Sequence, residues 1–324
     1  MLRWMLTGPV LVSLLLAACG RPNYPAPVRA GEQTAAPGAA ITPSARPTID
    51  PPQALGGGES PPGTTATPAL ALPTRTPYPD DDFFSLGESV QGRPISAWRF
   101  GEGPRRIVLI GGMHGGYEAN TAALSELLVD HFRDHPADAL PGVEIVIVPA
   151  ANPDGLTIGA GLAARFNANG VDLNRNWGCD WQPTAVLRDI PIDPGPRPFS
   201  EPESQALRAY FLAEPPDAVV FYHSAIGGVF MGACGADHPP ADWMGDLLAG
   251  ATGYPYSEFS HYDVTGDASN WLAERGIPAA IVELLTRDDP EFARNLAGVM
   301  ALQCHFAQAE GQNAHPDVVR LCGG

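Results

Sequence analysis

Ile110-Gly111-Gly112-Met113-His114-Gly115-Gly116-Tyr117-Glu118 is the stretch from which the rest of the chain is read. It continues the aliphatic run Ile107-Val108-Leu109, whose unbroken apolar character fits a strand buried on both faces. The glycines end that strand, and a helix-period pattern begins just beyond. A neutral imidazole and a carboxylate, placed where a buried strand gives way to a helix, are two ligands suited to Zn²⁺. The same residues could instead be polar side chains of a glycine-softened turn, so the metal reading needs support from elsewhere in the chain.

Downstream, Leu124, Leu127, Leu128 and Phe132 fall on one helical face, and Pro136 predicts the end of that helix. Val143 to Val148 reads as a second buried strand running into Asn152-Pro153-Asp154-Gly155, a turn by composition. The polar block from Arg165 to Trp177 reads as a loop, and Asn174-Arg175 within it offers an amide donor beside a planar guanidinium fork, the pair a buried carboxylate needs. Ser200 with Glu203 predicts a capping box opening a helix to about Leu212. Ala218 to Tyr222 is a further buried strand with His223 at its carboxyl end, the edge where α/β sheets bind ligands. A last inner strand runs from Pro278 to Val282, with Glu283 just past it, and Pro290 opens a final helix through about Phe306. Ser89 stands in a Gly-x-Ser that lacks the second glycine of a nucleophile elbow and is not read as a nucleophile. Of the histidines outside these positions, His261 is the one expected to line a pocket, through its neighbour Tyr262.

The chain has 324 residues and a 44% apolar fraction, enough for one large domain with extensions. A formal charge of −17 argues against nucleic acid as a partner and against a polybasic membrane patch. All 19 basic residues are arginine, which excludes a lysine Schiff base and a Walker-type phosphate loop.

Met1 to Ala18 carries Arg3 and then a short apolar run, the pattern of an export signal. It ends Leu16-Ala17-Ala18-Cys19-Gly20, which resembles the bacterial lipobox and implies lipidation of Cys19. Acyl chains would anchor the protein to a membrane at roughly 0.8 kcal/mol per buried methylene. Residues 19–82, rich in Pro, Ala, Thr and Gly, lack apolar periodicity and read as a disordered tether. The remaining cysteines, Cys179, Cys234, Cys304 and Cys322, fit two disulfides in an exported protein. Three pairings are possible; Cys304 with Cys322, stapling the tail to the last helix, and Cys179 with Cys234 is the one favoured.

Between about Leu86 and Phe306 the chain resembles the zinc carboxypeptidase superfamily, the carboxypeptidase A-like metallopeptidases. The resemblance rests on ordered motifs: Gly-Gly-Met-His-Gly-Gly-Tyr-Glu, Asn-Pro-Asp-Gly, Gly-Val-Asp-Leu-Asn-Arg-Asn-Trp, Tyr-His-Ser and Gly-Ile-Pro-Ala-Ala-Ile-Val-Glu-Leu. The compact spacing from Arg165 to Asn174 is similar to short bacterial members, including murein peptide amidases. The family implies a single α/β domain over residues 83–310, with a mixed, mostly parallel sheet of about eight strands flanked by helices, and a tail over 311–324. It implies one Zn²⁺ on His114, Glu118 and His223, a general base at Glu283, and carbonyl polarisation by Arg165. It also implies a carboxylate clamp at Asn174 and Arg175, and a mobile substrate-binding Tyr262. Ser269 stands where basic-residue carboxypeptidases carry an acid, which weakens a Lys/Arg preference, while Asp267 could reach a cationic group. One departure is the three residues between His114 and Glu118 where the family has two, to be absorbed either by a bulged turn or by a helical segment. The implied protein is an extracytoplasmic, lipid-anchored, monomeric metallocarboxypeptidase acting on a peptide or murein-peptide substrate. A non-catalytic peptidase-like binding module is the competitor, although it would need neither Glu283 nor Arg165.

Overall fold

The computed structural model describes residues 82–323. The expected export signal, the expected lipidation site Cys19 and the expected tether up to residue 81 lie outside the described residues. The chain opens with the hairpin strands β1 (Phe83–Glu88) and β2 (Pro94–Phe100), then the inner strand β3 (Arg105–Ile110), helix α1 (Ala119–Asp134) and strand β4 (Val143–Val148). Short helix α2 (Pro153–Ile158), the small strands β5 (Ala185–Leu187) and β6 (Ile190–Ile192), helix α3 (Pro202–Ala213) and inner strand β7 (Ala218–Ser224) follow. The last part holds strand β8 (Gly228–Met231), helices α4 (Asp242–Thr252) and α5 (Ala268–Ala273), strand β9 (Ala279–Leu284), and helices α6 (Phe292–Ala309) and α7 (Pro316–Cys322).

Seven strands form one sheet in the order β1-β2-β4-β3-β7-β9-β8, and β5 and β6 form a separate hairpin. The four central strands are parallel and the outer pairings antiparallel. The described residues thus give a sheet of seven strands, in line with the expectation of about eight. Period-2 alternation on the inner strands splits the core in two. Ile107, Leu109, Ile145, Ile147, Val220 and Val282 join a cluster with α1, α4 and α6, whereas Val108, Ile110, Val146, Val148 and Phe221 join one with α3 and α5. Both faces are covered, which is why residues 107–110, 145–148 and 218–222 of these strands carry no charge.

Several local expectations change. Leu127 is exposed, so the core-facing stripe of α1 is Leu124, Leu128 and Phe132. Asn152 to Gly155 opens α2, because the Asn152 carboxamide oxygen accepts the Gly155 N–H (2.9 Å) as a helix cap. The Ser200–Glu203 capping box does not form. Glu201 occupies the cap position with Pro202 behind it, and Glu203 instead accepts the Val90 N–H (3.0 Å) and the Asn167 amide (3.0 Å). Ser89, buried, donates to Asp154 (2.7 Å), a structural contact. Within the expected tail, α7 packs Val318 into the core. Both favoured disulfides, Cys179–Cys234 and Cys304–Cys322, are present, as suits an oxidising, extracytoplasmic compartment. No described helix is long and apolar enough to cross a membrane.

Candidate active site

β3, β7 and β9 lie side by side, and each delivers a polar residue at its carboxyl end. His114 follows β3, His223 is the penultimate residue of β7, and Glu283 is its register partner on β9. The extra residue between His114 and Glu118 is absorbed by a 3₁₀ turn, Gly115–Glu118, that runs directly into α1. That turn requires its glycines. Gly115 has φ +46°, and a β-carbon on Gly116 would lie 1.9 Å from the Gly159 carbonyl oxygen. Thr121 donates to the Glu118 carbonyl (2.8 Å) and accepts the Gly112 N–H (3.0 Å), locking the turn to the helix.

The result is a buried triangle. His114 Nδ1 lies 3.0 Å from Glu118 Oε2, His223 Nδ1 lies 3.1 Å from the same oxygen, and the two Nδ1 atoms are 3.1 Å apart. Two imidazole nitrogens and a carboxylate oxygen converging at this spacing suit a tetrahedral ion with bonds of about 2.0–2.2 Å, and leave its fourth position open. Among the described residues, His223 Nε2 has no hydrogen-bond partner. Burial alone would raise the Glu118 carboxyl; His114 and His223 overcome it and hold that group ionised.

Asp172 ties the triangle to Arg165. It lies 3.3 Å from His114 Nε2 and accepts Arg165 Nε (2.7 Å) while fully buried. Burial would push its carboxyl up, but Arg165 first and His114 next keep it well below the usual range. Arg165 Nη1 in turn stands 3.2 Å from His114 Nδ1 and 3.4 Å from Glu118 Oε1, and Asn152 Nδ2 donates to the Arg165 carbonyl (3.4 Å). In the sequence, the signal for Asp172 is its place in the Gly-Val-Asp-Leu-Asn-Arg-Asn-Trp motif, two residues before Asn174. Glu283 is buried, one oxygen has no partner, and burial together with the Glu118 charge pushes its carboxyl up to about 7.

His114, Glu118, Arg165, His223 and Glu283 line one cavity of about 390 Å³, together with Asn174, Arg175, Tyr262, Asp267 and Ser269. Arg175 is 2% exposed, donates only to the Asn174 carbonyl (2.7 Å) and, among the described residues, forms no ion pair; its Nε is unpartnered. Asn174 gives one amide hydrogen to Asp267 (2.7 Å) and accepts the Ala268 N–H (3.1 Å), leaving its other N–H as a free donor. Asp267 is not a free acid: it caps α5 through the Ser269 and Asn270 N–H groups, accepts the Ser269 hydroxyl, and holds Asn174. Asp267, which lines the cavity, thus has a capping and positioning role beside the contact expected with a cationic substrate group. Tyr262, half-buried, packs against Phe259 and against the β5–β6 hairpin. His261 lines an adjoining recess with Tyr262.

Comparison with known proteins agrees with this geometry. Murein peptide amidase A of Escherichia coli (strain K12) is 29% identical over 249 residues, covering 72% of this chain and 91% of that protein. The human carboxypeptidase N catalytic chain is 33% identical over 115 residues, 29% of this chain and 25% of that protein. Among solved structures, murein-tripeptide amidase from Escherichia coli O157 superposes with a TM-score of 0.51 at 24% identity, over 69% of this chain and 93% of that one. Bovine thrombin-activatable fibrinolysis inhibitor, in complex with tick carboxypeptidase inhibitor, gives 0.58 at 17% identity, over 70% and 90%. The zinc carboxypeptidase family model matches residues 74–240, more than half of the sequence and the part that supplies both imidazoles and the carboxylate, so the chain belongs to the zinc carboxypeptidase family, whose members use one Zn²⁺.

Proposed function

We propose that this chain hydrolyses the amide bond next to a free carboxylate, releasing the carboxyl-terminal amino acid of a peptide. The observation that carries the reading is Arg175. A buried guanidinium without a counterion, in the same cavity as a metal triad and a protonatable acid, costs free energy until an anion meets it. Arg175 and the free N–H of Asn174 hold the substrate carboxylate. A zinc ion on His114, Glu118 and His223 would supply Lewis acidity, bringing the pKa of a water to about 7 and polarising the carbonyl. Glu283 takes the proton from the attacking water and passes it to the leaving amine. Arg165 donates to the oxygen that becomes negative, and Asp172 keeps Arg165 and His114 aimed. Tyr262 covers the bound end of the substrate. Hydrolysis of blocked carboxyl-terminal dipeptides, lost with a chelator and restored by Zn²⁺, tests this; a zinc-loaded protein inert towards every such peptide and towards murein tripeptide would refute it.

A second reading, cleavage of the γ-D-glutamyl–diamino acid bond in murein peptides, is favoured by the near-complete coverage of murein peptide amidase A in the alignment. Both readings use the same clamp, and relative turnover of murein tripeptide and ordinary peptides separates them. We also propose a head held off a bacterial membrane by lipidated Cys19 and the tether, tested by acyl-chain labelling of wild type against Cys19→Ala.

A further inference from the structure

Arg287 lies four residues past Glu283, on the loop after β9, and lines the same cavity as the metal triad. Its guanidinium carbon stands 4.1 Å from the centre of the Tyr117 ring, and that of Arg165 stands 5.7 Å from the same ring. Arg287 is exposed and, among the described residues, forms no ion pair. Its loop is nonetheless fixed. Asn120 Nδ2 donates to the Thr286 carbonyl (2.7 Å) and the Asp289 carbonyl (3.0 Å), on either side of Arg287. Asn120 Oδ1 accepts the hydroxyl of Ser224 (2.9 Å), the neighbour of His223. Arg287 is therefore tied to the wall made by Tyr117 and the start of α1. Arg175, by contrast, belongs to the wall that Asp267 holds through Asn174.

A guanidinium stacked on an aromatic face keeps its edge N–H groups free, and that edge suits bidentate binding of a carboxylate. With Arg175 holding the carboxylate of the leaving amino acid, an arginine beyond Arg165 and Tyr117 meets the other side of the scissile bond. We propose that Arg287, braced on Tyr117, binds a second carboxylate carried by the acyl-side residue, so that the preferred substrate is anionic on both sides of the bond that breaks. This rests on the amide-hydrolase reading above and narrows its substrate class. A glutamyl residue provides such a group in two ways: as a side chain in an α-linked peptide, or as the free α-carboxylate in a γ-linked one. The same run of carbons separates carboxylate from scissile carbonyl in both.

The test uses zinc-loaded protein and blocked dipeptides with one common carboxyl-terminal residue. The acyl residue is α-linked Glu or Gln in one arm, and γ-linked Glu or its α-amide in the other. The charged member should exceed its neutral partner about five- to tenfold in kcat/KM in at least one arm, and that arm identifies the source of the carboxylate. Arg287→Gln should bring the ratio to about one. A ratio near one in both arms of the wild type, or a ratio unchanged in Arg287→Gln, overturns the proposal while turnover of an acyl-Ala peptide leaves the hydrolase reading standing. If no peptide is cleaved, the hydrolase reading is the one that fails. Calorimetric binding of the same pairs to zinc-loaded Glu283→Gln then decides: tighter binding of the charged member supports the role of Arg287, and equal or absent binding overturns it.

Discussion

His223 and Glu283 are register partners on the parallel strands β7 and β9, so the sheet ladder sets the distance between the second imidazole and the acid. Neither position depends on a loop. Glu283→Gln keeps the size of the side chain and removes its capacity to take a proton. We expect kcat to fall by about 10²–10⁴ with one zinc still bound per chain, measured by steady-state kinetics beside metal analysis. Full-rate turnover by the variant would remove Glu283 from its role as base.

The same acid predicts a pH dependence. Burial, with Glu118 adding to it, pushes the Glu283 carboxyl up to about 7, and only the carboxylate accepts a proton. Activity is then lost as pH falls through the folded-state value. A bound dication favours the charged form and moves that value down. The acid limb of kcat/KM in the zinc-loaded enzyme should therefore lie below about 7, and should be absent from any residual activity of Glu283→Gln. An acid limb that survives that substitution would assign the titration to another group.

The turn between the first two ligands makes a stability prediction. Gly116→Ala forces a β-carbon against the Gly159 carbonyl oxygen, a backbone atom that cannot swing aside. Overpacking of this kind costs about 1–3 kcal/mol, and here the strain falls on the turn that aims Glu118. Weaker zinc binding, read by competition with a chelating dye, should accompany a lower melting temperature. A variant with native zinc affinity would show that the turn tolerates displacement.

Much of this site was legible in the residues. Unbroken apolar runs over residues 107–110, 145–148 and 218–222 marked β3, β4 and β7, because strand segments covered on both faces carry no charge. The carboxyl ends of β3, β7 and β9 then placed His114, His223 and Glu283. Illegible were contacts that depend on tertiary partners. Leu127 satisfies the helical period and still faces solvent. Glu203 has the spacing of a capping residue, yet Val90 and Asn167 claim it from elsewhere in the chain. Nothing in the sequence around Asp267 reveals that four internal donors reach its oxygens. Asn120, which joins Ser224 to the loop of Arg287, carried no local signal at all.

Asp172 is the buried anion between Arg165 and His114. Asp172→Asn leaves the Arg165 charge without its main partner, a change that costs about 3–5 kcal/mol at a buried pair. Removing an acid behind a metal-ligating histidine also lowers metal affinity about 10–100-fold. Both losses are expected, measured by denaturant unfolding of the apo-protein and by zinc competition. Loss of stability without loss of zinc affinity would confine Asp172 to holding Arg165.

The two disulfides differ in what they join, and their removal should separate stability from binding. Cys304–Cys322 closes 18 residues and Cys179–Cys234 closes 55; on chain entropy, removal costs about 3 and about 4 kcal/mol respectively. Only the second borders the cavity. The Cys179 carbonyl accepts the Gly266 N–H (3.2 Å), and Gly266 in turn accepts the Trp177 N–H (3.0 Å), in the segment that carries Arg175. Next to Cys234, Ala233 donates to Asn270 (3.0 Å), and both residues line the cavity. Cys179→Ser with Cys234→Ser should therefore raise KM for carboxylate-bearing substrates beyond what its stability loss explains. Cys304→Ser with Cys322→Ser should lower the melting temperature with KM unaltered. Parallel Michaelis–Menten and thermal-melt measurements on the two double variants check this, and an equal rise in KM in both would mean that the Cys179–Cys234 link has no special hold on the carboxylate clamp.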